Sequence, residues 1–266
     1  MRDAAAWLPF LFELADGADR IALQFFRSRD LRVDEKPDLS PVTEADRAIE
    51  AMARRLLGDR HPELGVLGEE QGETPGTMGA RLIIDPIDGT RNFVRGIPIF
   101  GVLLAIEAGG EVAAGVASAP ALGTRWHAAR GAGAFRDGRR IAVSGVRALR
   151  NALLLHGNLG SVEPAPPAGF ATLARQVDRT RGFGDFYQHV LVAEGAGEIA
   201  IDPAANPWDI AALQVIVEEA GGRATSLGGE RSIYAGSVVT SNGALHQQAL
   251  DVLRRAPAPV LDSPDA

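Results

Sequence analysis

The sequence predicts an α/β protein built in two halves, and three observations carry that reading. Two helical patterns open the chain, a run of strand-like segments punctuated by tight turns follows, and from about residue 145 short strands alternate with helices. With 266 residues, 46% of them hydrophobic and 23% charged, there is enough apolar material for a sizeable core, as one large domain or as two closely joined halves.

The first helix is expected around 4–27. Its apolar positions are interrupted by Asp3, Glu13, Asp16 and Asp19, and no small-residue cleavage site follows, so it reads as an amphipathic helix and not as a signal peptide. A second is expected around 43–57, capped by Thr43 and carrying Ala45, Asp46 and Ile49; the loop before it holds Lys36, Pro37 and Pro41. Arg81 to Ile84 is a short apolar run that reads as a strand ending at Asp85-Pro86-Ile87-Asp88-Gly89-Thr90. Strands at 100–107 and 112–119 flank Ala108-Gly109-Gly110, and Asp137-Gly138 turns the chain before 140–143, which makes a β-meander. Beyond it come segments at 151–156, 168–178, 179–183, 185–196, 198–201, 207–220, 223–226, 236–240 and 243–254. The halves are thus 1–145 and 146–255, and the proline-rich 256–266 is expected to be a frayed tail.

Composition narrows the function. A net charge of −7, with 27 basic residues against 34 acidic ones and no long basic run, argues against nucleic acid or anionic lipid as partner. The absence of cysteine excludes disulfides and thiolate metal sites, and five scattered histidines leave oxygen as the expected metal donor. No apolar run approaches the roughly 20 residues that cross a bilayer, so a cytoplasmic location is expected.

Asp85 and Asp88 lie three residues apart in a turn stiffened by Pro86, and Gly89 permits close backbone approach to a bound group. Convergent carboxylates of this kind suit magnesium, which takes one or two of them, keeps waters and engages phosphate. If Thr90 starts a helix, the N–H groups of Gly89, Thr90 and Arg91 would face that phosphate. An ordinary Asp-rich turn reads equally well from these residues alone. Glu69 and Glu70 in LGEEQG, Asp46 in VTEAD and Asp209 in NPWD are each also explained as solvated or helix-start acids.

Taken together, the ordered segments PVTEAD, LGEEQG, IIDPIDGTRNFVRGIP and NPWDIAALQVIVEEAGG resemble the four-part signature of the inositol monophosphatase superfamily, over roughly 36–245. That resemblance implies an αβαβα layered sandwich and Mg²⁺-dependent hydrolysis of a small-molecule phosphate monoester by a homodimer, with two or three ions, Mn²⁺ as a substitute and Li⁺ as an inhibitor. Carried over, it makes Glu69, Asp85 and the Ile87 carbonyl ligands of one metal, and Asp85, Asp88 and Asp209 ligands of a second. It pairs Asp46 with Thr90 by a hydrogen bond, so that Thr90 helps Glu69 orient or deprotonate the attacking water. Lys36 occupies a loop where many relatives keep a lysine near the metals, but Ser40 stands where many have aspartate, and an exposed loop lysine fits as well.

RGFGDFY at 181–187, with NFVRGIP, ASAPALG and LVAEGAGEIAIDP, further resembles the histidinol-phosphatase branch of that superfamily. Histidinol phosphate combines a phosphate, an ammonium and an imidazole. Asp88, Gly89, Thr90 and Asp209 would meet the phosphate side, Arg181 would clamp the phosphate, Asp185 would pair with the ammonium or imidazole, and Asp202 matches a position that contacts the alcohol. Asp185 and Asp202 also read as a helix-start acid and a turn former. His156 and His189 are expected to pack, and His61 and His246 to be peripheral. The alternatives are an inositol-1-phosphate or sugar-phosphate phosphatase, a nucleotide 3′-phosphatase, and a non-catalytic binding protein retaining the fold.

Overall fold

The computed structural model describes residues 3–36, 40–158 and 165–255. A 3-10 turn capped by Asp3 leads into α1 (Leu8–Phe25). A two-stranded ribbon of β1 (Val33–Glu35) and β2 (Pro41–Thr43) then delivers the chain to α2 (Glu44–Arg60). The apolar stripe of α1 is the one its periodicity predicts. That of α2 carries two acids, Asp46 and Glu50, among Ile49, Ala53 and Leu57.

The large sheet comprises β3 (Gly65–Gly68), β4 (Gly72–Thr74), β5 (Ala80–Asp88), β6 (Gly101–Ala108), β7 (Glu111–Ala119), β8 (Thr124–Ala129), β9 (Gly133–Arg136) and β10 (Arg139–Arg140), in the order β10-β9-β8-β7-β6-β5-β3-β4. Only β3 and β5 pair in parallel. Between β5 and β6 lies a five-residue helix, α3 (Thr90–Val94). The smaller sheet is ordered β12-β11-β13-β15-β14, from β11 (Leu153–His156), β12 (Arg179–Gly182), β13 (Ile199–Asp202), β14 (Arg223–Thr225) and β15 (Val238–Ser241). Its helices are α4 (Phe170–Gln176), α5 (Asp185–Ala193), α6 (Pro207–Glu219) and α7 (His246–Leu253).

Strand alternation sorts the core into layers. Leu82 and Ile84 of β5 and Val102, Leu104 and Ile106 of β6 pack on α1 and α2, whereas Ile83, Leu103 and Ala105 face α5 and α6. In the smaller sheet Leu155, Ala200 and Val238 join that middle layer, while Leu154, Ile199, Ile201 and Val239 pack on α4 and α7. The result is an αβαβα sandwich. Its central helix α6 is buried from Ile210 through Val217, as a helix apolar on every side must be when sheets cover it on both.

Most expected elements are present within a few residues of their predicted ends. The strand expected to stop at Ile84 instead runs to Asp88: Asp85 still pairs with Leu103 and Asp88 with Gly101, with an irregular register between them. The strands β3, β4, β8 and β9 were not expected. His246, expected to be peripheral, is fully buried, with its ring nitrogens against the hydroxyls of Thr225 and Ser241 at 2.8 Å each. The tail at 256–266 lies outside the described residues.

Candidate metal centre

The irregular end of β5 and the first turn of α6 bring three carboxylates together. Asp85, Asp88 and Asp209 each offer an oxygen within 4.8 Å of the others. Asp209 is held in place because the Asn206 N–H donates to its carboxylate at 2.7 Å while Pro207 opens the helix. Asp88 accepts the N–H of Phe186, which ties it to the start of α5. Glu69 is brought alongside because its N–H donates to the Ile84 carbonyl at 3.3 Å, continuing the β3–β5 pairing into the turn.

The cluster strongly favours protons or cations. Burial raises the proton affinity of Asp85 well above the usual carboxylate range, and the charges of Glu69, Asp88 and Asp209 raise it further. Burial does the same at Asp88, helped by Asp185 and Asp209 and opposed by the Phe186 N–H. Asp209 is pushed up to about 6, chiefly by burial, and Asp202 to about 8 by burial and then by Asp209 and Asp185. Asp85 Oδ1 is buried with no hydrogen-bond partner among the described residues. An orphaned oxygen inside an all-oxygen donor set that repels itself is what a hard divalent cation would satisfy, so the residues fit such an ion.

Around this centre, Gly89 is left-handed at φ 83°, and a Cβ there would lie 3.1 Å from Asp185 Oδ2. Asp185 is therefore at the site. It too is left-handed, at φ 51°, its carboxylate accepts from Asn92 Nδ2 at 3.0 Å, and burial raises it to about 6. Lys36 is half-buried, not a solvated loop lysine: its ammonium bridges Glu69 at 2.7 Å and Glu70 at 2.6 Å. Burial pulls its proton affinity down, but the two carboxylates outweigh that and raise it.

One expected hydrogen bond is not made among the described residues. Thr90 Oγ1 donates to the Ile87 carbonyl at 2.9 Å and not to Asp46. Asp46 instead accepts from the N–H of Thr43 at 2.8 Å and from its hydroxyl, closing a capping box on α2. Its Oδ1 is buried without a partner among the described residues, and burial raises its proton affinity to about 7. Arg181 sits exposed on the edge strand β12 and donates to the Thr180 carbonyl at 2.9 Å. Among the described residues that hydrogen bond is to a backbone carbonyl and not to a member of the cluster.

Asn92, which donates to Asp185, was not singled out from sequence, nor were Glu50 and Arg54, which bond to the backbone of residues 70–72 after Glu69. His189 behaves as expected: it packs in the core against Thr240 at 2.8 Å, and burial lowers its proton affinity to about 3.

Comparison with known proteins agrees with this geometry. A model of the inositol monophosphatase family matches residues 3–258. A histidinol-phosphatase of Mycobacterium tuberculosis is 49% identical over 243 residues, covering 89% of this chain and 94% of that protein. An inositol-1-monophosphatase of Rhizobium meliloti is 33% identical, covering 88% and 91%. Among solved structures, the extragenic suppressor protein suhB of Bartonella henselae superposes with a TM-score of 0.88 at 29% identity, covering 94% of this chain and 99% of that one. An IMPase of Thermotoga maritima gives 0.83 at 32%, covering 92% and 96%.

Proposed function

This chain belongs to the inositol monophosphatase family, and from that membership and its acid cluster we propose that it hydrolyses L-histidinol phosphate to L-histidinol and phosphate. The observation that carries the phosphatase reading is the convergence of Asp85, Asp88 and Asp209 around an orphaned buried oxygen. The choice of substrate is supported by the relatives named histidinol-phosphatase at 41% to 49% identity and by the position of Asp185 beside Gly89.

In this reading Glu69, Asp85, the Ile87 carbonyl, Asp88 and Asp209 hold two or three Mg²⁺, for which Mn²⁺ substitutes and with which Li⁺ interferes. When bound, the cations neutralise phosphate charge and acidify water. Glu69 takes the proton of the attacking water, and the Thr90 hydroxyl orients that water. For the Thr90–Asp46 hydrogen bond that the resemblance implies, the Thr90 hydroxyl would have to leave the Ile87 carbonyl, and the unpartnered Asp46 Oδ1 would be the acceptor. Asp185 and Asp202 are assigned to the acceptor side, where their carboxyl groups suit an ammonium or imidazolium, Asp185 as the more readily ionised of the two. To clamp the phosphate, Arg181 would exchange its hydrogen bond to the Thr180 carbonyl for one to the phosphate. A homodimer, on the strength of the family resemblance, and a cytoplasmic location, in keeping with the lack of a long apolar run among the described helices, complete the reading.

A hydrolysis panel tests it. With Mg²⁺ present, histidinol phosphate should be turned over with a higher kcat/KM than inositol 1-phosphate, fructose 1,6-bisphosphate or adenosine 3′,5′-bisphosphate. A clear preference for any of the other three would move the assignment to that substrate, and no Mg²⁺-dependent release of phosphate from any of them would reject the phosphatase reading.

A further inference from the structure

Glu50 is a wholly buried carboxylate in the middle of α2, beneath the turn that bears Glu69. Its Oε2 accepts the N–H of Glu70 at 2.8 Å and its Oε1 accepts the N–H of Gln71 at 3.1 Å. Arg54, one helical turn on, donates from Nε to the same Oε1 at 2.9 Å, with its second nitrogen 2.7 Å away. The guanidinium then reaches past the carboxylate to the Gly72 carbonyl at 2.6 Å and the Thr74 hydroxyl at 3.0 Å. The pair thus grips residues 70, 71, 72 and 74 in succession. Gly68 is part of the same fit, since a Cβ there would overlap the Glu50 carboxylate.

Stability alone is a poor explanation for this arrangement. Taking two charges out of water costs several kcal/mol per ion, and well-packed apolar residues of similar volume are often as good or better. What an apolar pair does not supply is acceptors for the turn's two N–H groups and a donor set for its carbonyl. The turn so fixed is the one that aims Glu69 and Glu70 at the Lys36 ammonium beside the acid cluster.

We propose that Glu50, with Arg54, is a positioning residue that sets the Glu69–Glu70 turn and thereby the cation affinity of the acid cluster. This rests on the reading of Glu69 as a cation ligand. Three variants separate it from a merely structural role. Glu50→Gln combined with Arg54→Met removes the buried carboxylate and its part-buried partner together, so neither charge is left unpaired. Gly68→Ala keeps both charges but displaces the carboxylate. Arg54→Lys keeps a cation beside Glu50 on a part-buried side chain but loses the grip on Gly72 and Thr74.

The measurements are Mn²⁺ binding by calorimetry, the Mg²⁺ dependence of phosphate release from histidinol phosphate, and the Tm of the cation-free protein. Mn²⁺ affinity should fall by roughly 10- to 100-fold in the double variant, the range for groups that support metal ligands. It should fall measurably in Arg54→Lys, and kcat at saturating Mg²⁺ should recover most of the wild-type value. A folded Arg54→Lys or double variant whose Mn²⁺ affinity equals wild type, with only its Tm lowered, would overturn the proposal. Wild-type protein that binds no Mn²⁺ would instead sink the metal-site reading beneath it.

Discussion

Each aspartate of the cluster is costly to the cation-free protein, because its charge is buried beside others of the same sign. Replacing Asp85 or Asp88 by Asn removes a ligand charge and a source of repulsion in one step. We expect either variant to lose turnover at millimolar Mg²⁺ while its cation-free Tm at pH 8 equals or exceeds that of wild type, as at other sites where function and stability conflict. Near-normal turnover, or a collapse of Tm, would contradict this account. Thr90 makes a different demand. Its hydroxyl rests on the Ile87 carbonyl, so Thr90→Ala loses only one local hydrogen bond in the resting protein. If the hydroxyl orients the attacking water, kcat should drop on the order of 100-fold with little change in KM. An unchanged kcat would leave Thr90 as a helix-start residue.

Among the elements, the start of α5 matters most for specificity. Gly184 at φ 73° and Asp185 at φ 51° reverse the chain so that one residue's carboxylate reaches Asn92 while the next residue's N–H reaches Asp88. An L-residue in the left-handed region costs roughly 1–2 kcal/mol, and Asn and Asp bear it best. Asp185→Asn is therefore the cleaner probe, and Asp185→Ala adds strain. The Asn variant should raise KM for histidinol phosphate roughly 10- to 100-fold, the loss of a charge-assisted hydrogen bond. The phosphate of a small uncharged alcohol should be affected far less. Equal losses on both substrates would reduce Asp185 to a structural acid. At this scale the sequence was informative wherever periodicity or a turn dipeptide marked an element, as in α1, β6, β7 and α6. It was silent on β3 and β4, whose Gly-rich residues have no alternation to read, and so on the turn that Glu50 grips. The signal for Glu50 was present all the same: at positions 46, 49, 50, 53 and 57, two acids share an otherwise apolar helical stripe. The surroundings of Arg181 depend on the register of β12 against β11, which a motif that gives only order along the chain does not carry.

For the whole molecule, the buried acids and buried histidines push stability in opposite directions with pH, and their windows can be separated. His189 and His246 are held neutral, with proton affinities lowered to about 3 and about 4 by burial. A lowered value means stability that is complete above the unfolded value near 6.5 and lost as pH falls below it. The carboxylates behave oppositely. Asp46 at about 7 and Asp202 at about 8 keep protons in the folded state that the unfolded chain has already released. Their contribution is complete below the ordinary aspartate range and is lost as pH rises through 7 and 8. Between pH 6.5 and 8.5 the histidines are silent and the acids dominate. In EDTA, Tm should therefore fall across that window. Mg²⁺ held by Asp85, Asp88 and Asp209 would replace the protons that burial keeps on those carboxylates and relieve the charge of Asp209 that raises Asp202, so the rise in Tm that it produces should grow with pH over the same interval. Calorimetric titrations near pH 7 in buffers of different ionisation enthalpy should also register net proton release on Mg²⁺ binding. A cation-free Tm that is flat or rising from pH 6.5 to 8.5, with no proton release, would show that the acids are already ionised without metal, and that the cluster is more solvated than its burial implies.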